Sequence, residues 1–370
     1  MRFIKPNFKN SILNVSTTIA EFLGCNDLED VKRVKILQKS LSKQYKNVVY
    51  INLDGLGLFP LKSNLTKDQF LYKNIKKTIT SVFPSTTTNA TTVLRCANYP
   101  SKNVMFGWSM YFKELDRVVA VYTGKDEYSG EPIDMSKIED IIKISPYTDR
   151  TNTDYQINII SPPYITMEKG KNYHYKTNDE MFSQLDEICK KDGKQFIYCY
   201  NENPDCTMHE YGVNSNKAKE IINYLNEKIE NFVKNNKNTL VIITPDHGQT
   251  DIDEYIEIYK DKPLLDTLKV PIYLEPRAFA FQVKEGQEQN FLHEMKKYKK
   301  DIKLYRSQEL INKNYFGTKT DKLSYLGDYI GVVKNYNKIV LFKENSHRYK
   351  GHHTGLSKRE MLLPLIIIEN

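Results

Sequence analysis

Three apolar runs in this chain stop abruptly near an aspartate. Residues 48–53 run into Asp54-Gly55, residues 196–200 into Asn203-Pro204-Asp205, and residues 240–244 into Pro245-Asp246-His247-Gly248. A single Asp-Gly is a common turn, but open α/β sheets bind ligands beyond the carboxyl ends of their strands. Asp205 and His209 are four residues apart, so on a helical turn both face one side and can grip one ion. An Asp N-cap followed by a surface His fits that segment equally well. Asp246 and His247 can both reach inward only if the backbone bends, which Gly248 permits; a plain strand-to-loop junction is the alternative. Late in the chain, Gly351-His352-His353-Thr354-Gly355 offers imidazoles, favoured zinc ligands, in what is otherwise an ordinary surface loop. Finally, Val82-Phe83-Pro84-Ser85-Thr86-Thr87-Thr88-Asn89 precedes a helical stretch of small residues. Its hydroxyls can cap the helix, or one can act as a nucleophile where free amides and the helix dipole favour a phosphate.

These residues need strand ends to hold them together. Helical periodicity over 178–190 and 217–233, with Ile221, Ile222, Leu225, Ile229 and Phe232 on one stripe, separates the apolar runs. Strands alternating with helices predict an α/β fold, a three-layer α/β/α sandwich around a mostly parallel sheet. Between 263 and 327 the texture changes to strand (277–283), helix (287–297) and strand (302–305), which predicts a small α+β insertion. The catalytic core is then expected to comprise 1–262 and 328–370, returning to the main sheet through 339–342 and 362–368.

The chain has 370 residues, enough for a deep core, with 54 Lys and Arg against 46 Asp and Glu for a net charge of +8. A positive surface attracts phosphate-bearing substrates, although evenly spread lysines are more often a solvated face. The five cysteines, Cys25, Cys96, Cys189, Cys199 and Cys206, are odd in number and form no CxxC pair, against a disulfide framework or a Cys-based zinc site. The longest apolar run, 361–368, contains Pro364 and falls far short of the ~20 residues that span a bilayer. A cytoplasmic protein with no membrane span is expected.

Together the motifs resemble the alkaline phosphatase superfamily, in its nucleotide pyrophosphatase/phosphodiesterase-like branch. Asp-Gly after the first strand, Phe-Pro-x-x-Thr, Pro-Asp-x-x-x-His, Asp-His-Gly and a late Gly-x-His occur in that order from about residue 47 onward. The resemblance implies two divalent ions, zinc or else manganese. One would be held by Asp205, His209 and His353, the other by Asp54, Asp246, His247 and the Thr87 oxygen. It places the nucleophile on Thr87, not Thr86 or Thr88, and His353 rather than His352 among the ligands. Sulfatases need a Cys-x-Pro-x-Arg context that is absent here.

The implied activity is hydrolysis of a phosphodiester or pyrophosphate bond through a phosphothreonine intermediate, with a small phosphate ester, best a nucleotide, as substrate. The Thr88 amide is expected to stabilise phosphoryl oxygens. The family's phosphate-binding Asn, some twenty residues after the nucleophile, is replaced by Trp108; Asn89 is the candidate substitute donor. Trp108, the only tryptophan, stacks on a base or anchors the core, and the core is the favoured expectation. A phosphomonoesterase or phosphonate hydrolase on the same site is the nearest alternative, although Arg95, two helical turns past Thr87, is expected to lie too far away to hold a monoester's extra charge. A non-catalytic nucleic-acid-binding protein is the remote one, suggested only by charge and by Lys296-Lys297-Tyr298-Lys299-Lys300. No specific nucleic-acid partner is expected, and the sequence assigns no oligomeric state.

Overall fold

The computed structural model describes residues 2–165 and 170–370. Its first sheet has seven strands in the order Ile75–Thr80, Leu362–Glu369, Thr239–Thr244, Asn47–Leu53, Gln195–Asn201, Gln156–Ser161, Lys171–His174. The four strands Thr239–Thr244, Asn47–Leu53, Gln195–Asn201 and Gln156–Ser161 run parallel, and Leu362–Glu369 lies antiparallel beside them. The three strands in the middle are buried throughout, which is why they read as continuous apolar runs rather than alternating ones.

Alternate side chains enter two different cores. Val48, Tyr50, Phe196, Tyr198, Leu240 and Ile242 face the helices Ile12–Phe22 and Thr87–Cys96. Val49, Ile51, Ile197, Cys199, Val241 and Ile243 face Asn178–Lys190 and Asn216–Asn235. The result is the three-layer α/β/α sandwich, each fully buried Ile, Leu or Val contributing on the order of 1.5–3 kcal/mol. The two long helices begin at true caps: Thr177 and Glu180 form a reciprocal capping box, and the Ser215 hydroxyl accepts the Ala218 amide.

A second seven-stranded sheet packs beside the first, in the order Ile302–Arg306, Tyr329–Val333, Ala278–Phe281, Tyr273–Glu275, Ser109–Phe112, Arg117–Ala120, Lys125–Asp126. The insertion expected at 263–327 corresponds to only part of it. Three of its strands come from 109–126, and Tyr329–Val333 pairs within it, between Ile302–Arg306 and Ala278–Phe281. Those added strands are two to five residues long, too short to show a period in sequence. A second expectation also fails: the segment around Ile339 does not rejoin the main sheet. Lys338–Val340 pairs in parallel with Glu254–Ile256 in a separate two-stranded ribbon, leaving Leu362–Glu369 alone to return.

Candidate active site

The loops at the carboxyl ends of the central strands bring the six aspartate and histidine candidates together. Asp54 follows the strand Asn47–Leu53, and its neighbour Gly55 adopts φ +73°; a Cβ there would lie 2.8 Å from the Asp205 carboxylate. Glycine is therefore required for these two loops to approach. Asp205 opens the short helix Asp205–Tyr211, which carries His209 on the same face, with His209 Nε2 at 3.1 Å from Asp205 Oδ2. His353 arrives from the late loop, its Nε2 3.2 Å from His209 Nε2. On the other side, His247 Nε2 lies 3.2 Å from Asp54 Oδ1 and 3.5 Å from Asp246 Oδ2. Two groups result, Asp205–His209–His353 and Asp54–Asp246–His247, with the ligating atoms of each within 4.8 Å of one another. The His247 and His353 rings stack between them at 3.7 Å.

The polar atoms of these groups fit cations. Each of the three imidazoles has Nδ1 against a backbone carbonyl: His209 against Gly351 at 2.8 Å, His353 against Ser85 at 3.1 Å and His247 against Gly248 at 3.2 Å. A proton on Nδ1 assigns the lone pair to Nε2, the tautomer that metal ligands use. His209 Nε2 and His353 Nε2 face each other at 3.2 Å, so a proton or a metal cation must lie between them. Asp54 Oδ1 and Asp246 Oδ2 are buried without a hydrogen bond. Burial, and then the neighbouring carboxylates, push the Asp54 and Asp246 pKa values far up, as expected of acids crowded together without a counter-charge. Burial and the adjacent imidazoles hold His353 well below its ordinary value, so it stays neutral and able to donate its lone pair.

Thr87 begins the helix Thr87–Cys96, with Thr86 in extended conformation before it. Its Oγ1 sits 3.0 Å from His247 Nε2 and 3.4 Å from Asp54 Oδ2. The helix ladder starts with the Ala90 amide donating to Thr86 O at 2.8 Å, so the amides of the first turn precede any helical partner. Thr86 points elsewhere, donating to Glu275 Oε1 at 2.6 Å, while Thr88 is buried on the cavity wall. Asn89 does not face the site: its Nδ2 donates to Pro84 O, which holds the turn before the helix.

The site opens into a cavity of about 1010 Å³ whose far wall comes from the second sheet. Trp108 lines it and is 44% exposed, edge-on to the half-exposed Tyr122, so the expectation that it anchors the core is wrong. Arg95 also lines this cavity, because residues 87, 91 and 95 form one stripe along the helix, and it stands two helical turns beyond Thr87. His352 is buried behind His353, its Nδ1 accepting the His353 amide at 2.9 Å, and it belongs to neither cluster.

Three contributors carried no signal in the sequence. The Tyr200 hydroxyl donates to Asp54 Oδ2, and Gln249 Nε2 donates to Asp205 Oδ1 at 2.6 Å, each fixing a carboxylate. Glu275, buried with Thr86 and the Trp108 amide as donors, is pushed by burial up to about 7. A strand residue two positions past a buried Tyr announces none of this.

The comparisons agree with the geometry. No curated protein sequence matches the chain. Among solved structures, murine ectonucleotide pyrophosphatase/phosphodiesterase 5 superposes with TM-score 0.69 at 16% identity over 88% of both chains, and an inactive form in complex with AMP gives 0.67 over 87% of both. Phosphonoacetate hydrolase from Sinorhizobium meliloti, in complex with phosphonoformate, gives 0.61 at 12% identity over 86% of this chain and 89% of that one. Residues 48–355 match the family model for type I phosphodiesterase/nucleotide pyrophosphatase. The chain belongs to that family, a branch of the alkaline phosphatase superfamily, and is a phosphodiesterase/pyrophosphatase-like hydrolase.

Proposed function

We propose that the protein hydrolyses phosphodiester or pyrophosphate bonds of small, nucleotide-type substrates, with Thr87 as nucleophile and two divalent cations as cofactors. The observation that carries this reading is the pair of three-residue donor groups, one of them in contact with the Thr87 hydroxyl. Asp205, His209 and His353 would hold one ion, and Asp54, Asp246 and His247, with Thr87, the other; the His-rich donor set suits zinc, with manganese next. Such ions would supply charge stabilisation to the attacking and departing oxygens.

The chain's own groups do the rest. Asp54 and His247 orient the Thr87 hydroxyl for attack on phosphorus; as the O–P bond forms, its proton passes to solvent and the ester oxygen departs with the electron pair of the broken P–O bond. Amides at the start of the helix donate to the phosphoryl oxygens in the transition state. Water then attacks the phosphothreonine, breaking the Thr87–phosphorus link and releasing the second product.

Two features support a nucleotide-type diester over a monoester. Trp108 and Tyr122 present exposed aromatic surface at the cavity. The cavity wall also carries the Glu202 carboxylate, which opposes the extra charge of a monoester dianion. The phosphonate-hydrolase reading is favoured only by the likeness to the Sinorhizobium enzyme. A cytoplasmic location is part of the proposal, supported by five unpaired cysteines; none of the described helices is long and apolar enough to cross a membrane.

The test compares kcat/KM for bis-p-nitrophenyl phosphate and thymidine 5′-(p-nitrophenyl phosphate) with that for p-nitrophenyl phosphate, with zinc or manganese and after chelation. Diester turnover at least about tenfold above monoester turnover, abolished by chelation, is expected. A monoester preference, or full activity after chelation, overturns the reading.

A further inference from the structure

One cation in the cavity has no role in the scheme above. Thr87, Thr91 and Arg95 recur every fourth residue on the helix Thr87–Cys96, so they share one face, and all three line the cavity. Arg95 is partly buried, and its Nε is shut off from solvent without a hydrogen-bond partner. Among the described residues no carboxylate pairs with it. By contrast Lys343, on the same cavity, sits 2.7 Å from Glu127. A guanidinium left unpaired on a recessed wall is costly unless an anion arrives.

The Tyr122 and Tyr198 side chains line the same cavity as Arg95, and the Tyr198 hydroxyl, like the Arg95 Nε, is shut off from solvent without a hydrogen-bond partner. Burial raises the Tyr198 phenol, so it remains protonated at neutral pH and is able to donate. A planar guanidinium fork and two phenols on one cavity wall offer donors that suit a tetrahedral oxyanion. Along the helix, eight residues separate the Cα atoms of Thr87 and Arg95 by roughly 12 Å, and helical side chains lean toward the N-terminus, which brings the guanidinium closer.

We propose that Arg95, with the Tyr122 and Tyr198 hydroxyls, binds a second phosphate group of the substrate, set apart from the phosphorus that Thr87 attacks. The proposal rests on the hydrolytic reading above and narrows its substrate class to phosphodiesters that carry a further phosphate. The attacked phosphorus lies at Thr87, at the start of the helix, and the distal phosphate lies along the same stripe toward its end.

The experiment uses two substrates that differ by one group: thymidine 3′-phosphate 5′-(p-nitrophenyl phosphate) and thymidine 5′-(p-nitrophenyl phosphate). In the metal-loaded wild type, kcat/KM should be about tenfold or more higher for the first, as expected for a charge-assisted contact. In Arg95→Gln that ratio should fall toward one, and Arg95→Lys should restore part of it. A ratio near one in the wild type overturns the proposal. So does a ratio that Arg95→Gln leaves intact while both rates fall equally, which would place Arg95 on the attacked phosphate itself. If the wild type cleaves neither substrate, the hydrolytic reading fails, and the subsite is judged by calorimetry instead. Adenosine 3′,5′-bisphosphate should then bind the wild type about tenfold more tightly than AMP, and Arg95→Gln should bind the two alike; equal binding by the wild type sinks the subsite.

Discussion

The two walls of the cavity are built on different principles. The wall at the strand ends packs Asp54, Asp205, Asp246, His247 and His353 at 6% exposure or less. Its polar atoms are pinned by carbonyls and by neighbours such as Tyr200 and Gln249, and what remains unpaired points inward. The opposite wall, from the antiparallel sheet, offers half-exposed aromatics in Trp108 and Tyr122 and a single buried acid, Glu275. One wall is dense in charge and has no freedom; the other has surface and room. The chemistry of a phosphoryl transfer sets the first, whereas a leaving group or base can be met by many surfaces. Substitutions on the first wall should therefore abolish turnover, and those on the second should shift preference or pH response.

The sharpest way to break that contrast is at the nucleophile. Thr87→Ala should lower turnover on the order of 10⁴-fold while leaving the fold and most metal binding intact, since the residual rate comes only from binding and electrostatics. Thr86→Ala, whose lost hydroxyl serves Glu275, should cost far less. Near-normal turnover in Thr87→Ala with an inactive Thr86→Ala would move the chemistry to the other wall.

The joint between the walls comes next. Arg277, on the second sheet, meets Glu360 at 2.7 Å with both side chains fully buried. Glu360 in turn accepts the Gly355 and Ser357 amides, in the loop just after His353. Thr354 within that loop holds φ +97°, a conformation disfavoured for a β-branched residue and costing about 1–3 kcal/mol, so this clamp is what keeps it in place. Arg277→Met strands a buried carboxylate and should lose about 3–5 kcal/mol of stability by urea unfolding. A loss within about 1 kcal/mol would mean the walls are independently held.

How much of each wall was legible follows from the same contrast. Asp54, Asp205 and Asp246 follow strands whose apolar runs are unbroken, because both faces are covered, and their partners lie within four residues or in a Gly-bounded loop. Trp108 and Glu275 belong to short pieces of chain whose meeting depends on tertiary packing alone. A lone Trp reads as core on composition grounds, and only the second sheet, which pairs Ser109 with Leu274, leaves it at the cavity. The same dispersion hid the extent of that sheet.

The paired histidines test the strand-end wall at single-residue resolution. His353→Ala removes one of three ligands from its cluster and should lower metal occupancy there and turnover by about 10²–10³-fold. His352→Ala removes only an acceptor for the His353 amide and should cost about tenfold or less. Metal content by mass spectrometry in both variants decides it; loss from His352→Ala with retention in His353→Ala would shift the ligand by one residue.

Glu275 gives the smallest effect and probes how far the two walls are electrostatically separate. Burial raises its carboxyl from an ordinary 4.5 to about 7, so the folded state holds a proton that the unfolded chain gives up earlier. Its contribution to stability is therefore full below pH about 4.5 and is lost as pH rises through about 7, a change of about 3 kcal/mol for this one group. In the Glu275→Gln variant the amide oxygen can still accept from Thr86 and from the Trp108 amide, but the side chain has no proton to lose. In metal-free protein, urea unfolding at about pH 5 and about pH 8 should show the stability difference between wild type and Glu275→Gln swinging by about 2.5 kcal/mol toward the variant at the higher pH. Adding zinc should shrink the swing, because a nearby dication favours the ionised carboxylate and lowers its folded pKa. If the swing is absent even without metal, Glu275 is already ionised in the folded state. It would then belong to the charge network of the strand-end wall, and the division between a chemical wall and a recognition wall would have to be redrawn through Thr86.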